Sequence, residues 1–176
     1  MNSFFTTDTH LSHQNIIKYC NRPFSTVEEM DETIIANING VVSKNDLLYH
    51  LGDFAWGSPN HIIQLRHRIK CKIILILGNH DKLIRKQTQL QRLFTDVYDI
   101  YTPVISGIQF VLCHYCMRIW PSRHHGAKHL FGHSHGTLII PEGEACMDVG
   151  VDTNDFKPYS LDEIMTTLKC NQRMEG

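Results

Sequence analysis

Five short polar bursts in this chain carry residue types that bind metal ions, and each follows an apolar run. Asp8-Thr9-His10 comes after Phe4-Phe5, Gly52-Asp53 after Leu47 to Leu51, and Gly78-Asn79-His80-Asp81 after Ile73 to Leu77. Cys113-His114 comes after Ile108 to Leu112, and Gly132-His133-Ser134-His135-Gly136 after Leu130-Phe131. The apolar runs suit buried strands, and ligand sites of sheet-based α/β folds lie beyond the carboxyl ends of strands. Five such ends on one rim would gather carboxylate, amide and imidazole donors around divalent metal. Taken singly, a D-x-H or a G-D is ordinarily a turn, and a lone strand-end histidine is ordinarily structural. G-N-H-D is stronger, because four polar turn-formers follow a fully apolar strand. G-H-x-H is also stronger, since residues two apart on a strand point the same way. The ordered set together makes chance a poor account.

The elements that must position these bursts can be read along the chain. Ser25 and Glu28 form a capping box ahead of Val27, Met30, Ile34, Ile38 and Val41, spaced for one helix face. Ser58-Pro59 offers an N-cap followed by proline, ahead of Ile62, Leu65 and Ile69. A third helix is predicted over Lys82 to Leu93, and Ser160 with Glu163 caps a last one through about Leu168. From Val97 onward short strands and turns dominate, including Cys146 to Val151 after a Pro141-Glu142-Gly143 turn. A βαβα start running into a β-rich half, with turns too short for crossover helices, fits a two-sheet core with helices outside.

Composition bounds the partners. The 176 residues fit one domain, expected over residues 1–168 with a frayed tail at 169–176. Seventeen Lys plus Arg against eighteen Asp plus Glu give a net charge of −1, which excludes a strongly basic nucleic-acid wrapper and offers no electrostatic case for a membrane surface. No dedicated nucleic-acid-binding domain is visible. The longest aliphatic run falls far short of the ~20 residues of a membrane helix, and the start lacks the basic region of a signal peptide. A cytoplasmic protein is expected. The six cysteines are scattered and read as reduced thiols, with Cys113-x-x-Cys116 inert. Twelve histidines are the anomaly.

The set D-x-H, G-D, G-N-H-D, a lone His and G-H-x-H resembles the calcineurin-like metallophosphoesterase superfamily. Within it the chain is similar to a group of small bacterial and phage single-domain proteins, through DTHLSHQNIIKYCNRPF, LGDFAW, HYCMRIW and DVGVDTNDFKPYSLDEI. The resemblance spans nearly everything from Asp8 to Ile164. It departs at Cys116, where the group usually has proline. The resemblance implies an α/β fold, a four-layer α/β/β/α sandwich in a single domain, with a two-metal site at the strand ends.

Carried over residue by residue, it assigns one metal to Asp8, His10, Asp53 and His135, and the other to Asp53, Asn79, His114 and His133. Two close cations repel, and Asp53, with two oxygens and a negative charge, is the natural bridge beside a shared hydroxide. The mixed nitrogen and oxygen donors suit two divalent transition-metal ions, Mn²⁺ foremost, with Fe, Co²⁺, Ni²⁺ or Zn²⁺ as alternatives, better than Mg²⁺ or Ca²⁺. His80 is left over. The resemblance makes it the proton donor to the leaving oxygen or a stabiliser of the transition state, with Asp81 orienting it.

His13, Asn15 and Arg118 are candidates to touch substrate. Trp56 and Trp120 are expected to pack, with a pocket wall as the alternative, His61 and His67 to lie on an outer helix surface, and His50 and His129 to be strand residues. The expected activity is hydrolysis of a phosphate ester, with a lean to phosphodiesters and nucleotides as candidate substrates. Phosphomonoesterase, nuclease and non-catalytic scaffold are the alternatives. Every ligand position is filled, which weighs against a scaffold.

Overall fold

The computed structural model describes residues 1–141 and 143–173. Its first sheet is built on β1 (Ser3–Thr6), β2 (Leu47–His50), β3 (Lys72–Ile76) and β4 (Asp96–Tyr98), all parallel, with the late strand β10 (Tyr159–Ser160) antiparallel on the β1 edge. These strands are apolar throughout because both faces are covered. Phe4, Leu48, Ile73 and Leu75 face a core shared with helices α2 (Val27–Val41) and α3 (Pro59–Arg68). Phe5, Tyr49, Ile74 and Ile76 face the second sheet.

The second sheet runs in the order β5 (Ile100–Tyr101), β7 (Ile108–Cys113), β8 (Lys128–Phe131), β9 (Cys146–Asp148), with β6 (Val104–Ile105) paired to β7. Phe110, Leu112, Leu130 and Met147 fill the inter-sheet core, which also receives Ile164 and Leu168 of α6 (Leu161–Arg173). This is the expected α/β domain of two sheets flanked by helices. The outer face of the second sheet is covered by Trp120, Met117 and Ile140 from the loops after β7 and β8. Strands β7, β8 and β9 are parallel to one another, although among the described residues no α-helix joins them.

Local details refine the expected boundaries. The N-cap of α2 is Thr26, one residue past Ser25: Thr26 accepts from Glu29 N–H at 3.1 Å, and Glu29 reaches back to Ser25 N–H at 2.9 Å. The helix expected over Lys82 to Leu93 is broken into α4 (Lys82–Lys86) and α5 (Thr88–Gln91) by extended backbone at Gln87. The Gln91 amide donates to the carbonyls of Ile84 and Arg85 at the end of α4, at 3.1 and 3.0 Å. The strand expected over Cys146 to Val151 ends at Asp148, and a 3-10 turn follows at Val151–Thr153. Helix α6 runs past Leu168 to Arg173; Glu142 of the expected turn and residues 174–176 of the tail lie outside the described residues. Among the described residues, no helix is long and apolar enough to cross a membrane.

Because β1, β2, β3, β7 and β8 all point the same way within their sheets, their carboxyl ends meet. A parallel bridge between Thr7 and Gly150 joins the two sheets there, closed by Val151 N–H to Thr7 O at 3.2 Å.

Candidate metal centre

Two groups of donors assemble at this rim. Asp8, His10 and His135 converge in one, and Asp53, His114 and His133 in the other. Asp53 stands between them: its Oδ2 is 3.5 Å from Nε2 of His10 and 3.5 Å from Nε2 of His114. Asn79 joins the second group, with Oδ1 3.0 Å from His114 Nε2. Each group draws on both sheets, since Asp8, His10, Asp53 and Asn79 follow strands of the first, and His114, His133 and His135 strands of the second.

Backbone conformation is part of the design. Asp8, His10, Asp53, His133 and His135 all have positive φ, between 48° and 68°, a region that costs a non-glycine residue roughly 1–2 kcal/mol. Cross-loop hydrogen bonds hold them there: Asp8 N–H to Gly52 O at 3.0 Å, His10 N–H to Asp53 O at 2.9 Å, and His133 N–H to Asp8 Oδ2 at 2.8 Å. The glycines of G-N-H-D and G-H-x-H make room. A Cβ at Gly78 would meet the Asp53 carboxylate, and one at Gly132 would meet Thr7 and the Asp8 carboxylate.

Metal fits these residues. Asp8 Oδ1 and His10 Nε2 are buried, 3.8 Å apart, and neither has a hydrogen-bond partner. Burial pushes Asp8 up to about 7 and His10 down to about 2, so His10 presents a neutral ring with a lone pair. Burial opposes ionisation of Asp53 as well, but His114 and the His80 N–H hold it down to about 2. Burial also opposes a charge on His135, yet Asp152 and Asp8 raise it to about 10. A field that favours a proton on that ring favours a cation in the same place.

The ring orientations are fixed from behind. His114 donates Nδ1–H to Leu51 O at 2.8 Å, leaving Nε2 turned to Asp53 and Asn79. His135 Nδ1 is 2.7 Å from Asp152 Oδ2, and Asp152 in turn takes Arg22 Nε–H at 2.7 Å and Nη2–H at 2.8 Å. Arg22 also donates to the carbonyls of Asp8 and Thr9. Cys20 lies within ligand distance of His135 and Asp152, but the facing atoms of those two are already bound to each other and to Arg22. Asp148, at the end of β9, accepts from Ser134 Oγ, Gly136 N–H and Gly150 N–H and so shapes the G-H-x-H loop.

His50 is more than a strand residue. Its Nδ1 accepts from Gly52 N–H at 3.3 Å, so Nε2–H donates to Thr9 Oγ1 at 2.9 Å, and Thr9 passes the chain on to Phe54 O at 2.7 Å. The fully buried ring ties the D-x-H loop to the G-D loop and is pushed down to about 3 by burial. His129 does similar work in the second sheet, accepting Met117 N–H at 3.0 Å and donating to Val111 O at 2.9 Å.

The remaining candidates divide. His80 sits at the rim, its side chain 36% exposed, with Nε2 4.0 Å from Asp53 Oδ2. Asp81 does not orient it. The Asp81 carboxylate is buried and accepts from the N–H groups of Asp53, Phe54 and Gly78, so it shapes the G-D loop. His13 lines the same cleft of about 570 Å³ as His10, Asp53, Asn79, His80, His133 and His135. Asn15 and Arg118 do not line it; Asn15 is exposed on α1 (Gln14–Tyr19), and Arg118 borders a separate groove with Ile139 and Cys146. Trp120 packs as expected, but Trp56 is 48% exposed and stacks on His13, with centroids 4.7 Å apart. His61, expected on an outer helix surface, meets Ser12 Oγ at 2.7 Å, and Ser12 is further bound to Asp31.

Arg22 and Asp152 are the functional pair that residue spacing missed, and 130 positions separate them. A signal did exist, since both lie in segments that carry the resemblance, NRPF and DVGVDTND.

Comparison with known proteins agrees with this geometry. A protein of Methanocaldococcus jannaschii, itself uncharacterized, is 35% identical over 177 residues, covering 94% of this chain and 90% of its own. The gene 66 protein of Mycobacterium phage L5 is 36% identical over 83 residues, 46% of this chain and 40% of the phage protein. The crystal structure of an Aquifex aeolicus protein of unknown function superimposes with a TM-score of 0.70 at 26% identity, over 94% of this chain and 98% of that one. The family model for calcineurin-like phosphoesterases matches residues 1–137, which include every candidate metal donor. The chain belongs to the calcineurin-like phosphoesterase family, and its chemistry is that of a phosphoester hydrolase.

Proposed function

We propose that the protein hydrolyses phosphodiesters at a two-cation centre, with Mn²⁺ the first metal to try, in a single cytoplasmic domain over residues 1–168. The observation that carries this reading is one Asp53 oxygen facing an imidazole of each donor group at 3.5 Å. Asp8, His10, Asp53 and His135 would hold one ion, and Asp53, Asn79, His114 and His133 the other. When bound, such a pair supplies Lewis acidity toward a phosphate and a water acidic enough to attack at neutral pH. The chain's own part is to aim and to protonate. Asp53 is kept ionised, and His80, anchored by its backbone N–H to Asp53 Oδ1 at 2.8 Å, stands where a departing oxygen can take a proton.

Charge favours the diester. Two divalent ions against Asp8 and Asp53, with one proton withdrawn from the attacking water, leave about one net positive charge, which suits a monoanion. No lysine or arginine is among the described residues that line the cleft, so a dianionic monoester lacks a fixed cation. The free thiols of Cys20, Cys71, Cys113, Cys116 and Cys146 accord with a reducing compartment.

The test is kcat/KM for bis-p-nitrophenyl phosphate against p-nitrophenyl phosphate after chelation and Mn²⁺ reconstitution. The diester should win by at least about tenfold. A tenfold preference for the monoester overturns the charge argument, and full activity in excess chelator overturns the two-cation centre.

A further inference from the structure

Beside the cleft lies a second hollow of about 310 Å³, walled by Trp56, Ile62, Lys82, Leu83 and Ile84. His80 is the one described residue that lines both. The hollow is more than a surface gap. Trp56 is 48% and Leu83 37% exposed, two large apolar side chains turned to solvent next to a reactive centre. Trp56 is also rigid. Its ring lies 12° from the plane of His13, its backbone N–H donates to Leu11 O at 2.7 Å, and its neighbour Ala55 pairs with Leu11. The His13 face belongs to the cleft, so the Trp56–His13 stack and His80 separate the two spaces. Lys82 adds a cation on the hollow side.

We propose that this hollow binds the nucleoside leaving group of a phosphodiester, with the base against Trp56. The inference rests on the phosphoesterase reading above and names the substrate class it takes. With the phosphate over the donor groups and its leaving oxygen at His80, the group beyond that oxygen passes His80 into the hollow. A fixed, flat indole wall suits a planar aromatic group better than an alkyl chain, and the volume, at the lower end of the ~300–1,000 Å³ span of small-ligand sites, suits one nucleoside. In the reaction water adds to phosphorus, and the P–O bond to the nucleoside breaks with its electron pair on the leaving oxygen. That oxygen takes the His80 proton, and the proton lost by the water restores His80 through solvent. The products are a nucleoside and a phosphomonoester.

Adenosine is the probe for binding, in excess chelator and without turnover. It should quench tryptophan fluorescence saturably in the native chain and fail to do so in Trp56→Phe, because Trp120 is buried and bonded to Ala127 O. For turnover, Trp56→Ala should lower kcat/KM for adenylyl-adenosine relative to glycerophosphocholine by about 5- to 150-fold, mainly through KM, the span of an aromatic–base stack. Absence of saturable quenching, or an unchanged ratio, in a protein that still cleaves diesters overturns the subsite and leaves the phosphoesterase reading standing. Failure of the metal-loaded native chain to cleave any phosphate ester overturns that reading and the subsite with it.

Discussion

Asp152 Oδ2 lies 2.7 Å from His135 Nδ1, and the same carboxylate is gripped by the Arg22 guanidinium. One buried carboxylate thus fixes an imidazole on the second sheet to an arginine whose other N–H groups hold the Asp8 and Thr9 carbonyls on the first. Burial alone would raise Asp152, but His135 and Arg22 hold it below the ordinary carboxylate range.

Asp152→Asn should therefore weaken metal binding by about 10- to 100-fold, the usual cost of removing a carboxylate behind a ligating histidine, as read by chelator competition. Arg22→Met should act mainly on stability, by about 1–3 kcal/mol, because it strips the guanidinium from the largely buried Asp152 and leaves His135 to hold that carboxylate. Denaturant melts check the second effect.

His80→Ala should spare metal content and reduce kcat by about 10²–10⁴. The loss should be larger for alkyl than for aryl leaving groups, since an aryloxide departs readily without a proton. Equal losses on both would assign His80 an electrostatic role instead.

Gly132→Ala should disable the centre without touching a donor. The new methyl collides with Thr7 and the Asp8 carboxylate, so Asp8 must move or the strand end must shift, at about 1–3 kcal/mol. Isothermal titration with Mn²⁺ should show the first site lost, while far-ultraviolet circular dichroism stays native.

His50 gives stability a pH dependence. Its folded value is about 3 against an ordinary 6.5, so between those values the unfolded chain binds a proton that the folded one refuses. The contribution is complete above pH 6.5 and is lost as pH falls toward 3, at up to about 1.4 kcal/mol per pH unit. His50→Gln, which keeps a donor for Thr9, should flatten the fall measured by denaturant melts between pH 6.5 and 5.

Much of this was legible from residue types. Strands such as Ile73 to Leu77, buried on both faces, betray themselves by unbroken apolarity, and the polar residues after them mark the rim. What local reading missed is tertiary. Asp81 sits beside His80 in the chain, yet its carboxylate turns back to three backbone amides of the G-D and G-N-H-D loops. Arg118 is four residues from His114, but the loop carries it to the outer groove. Trp56 reads as core by type and stands at the rim because Gly57, at φ +128°, and the Leu11 pairing turn the chain outward. Asp8, His10, Asp53, His133 and His135 are of types that tolerate left-handed backbone better than most, but which of the chain's Asp and His residues adopt it is decided by the assembled loops.

Because each donor group takes residues from both sheets, an ion held there is a covalent-like clasp across the sandwich. It closes a loop between the amino-terminal strands and the later ones, and so restricts the unfolded chain as a cross-link does. How far the donors of one sheet stand from those of the other depends on how the sheets stack, through Phe5, Phe110 and Leu130. Core packing several layers below the rim becomes a tuning element for the chemistry above it.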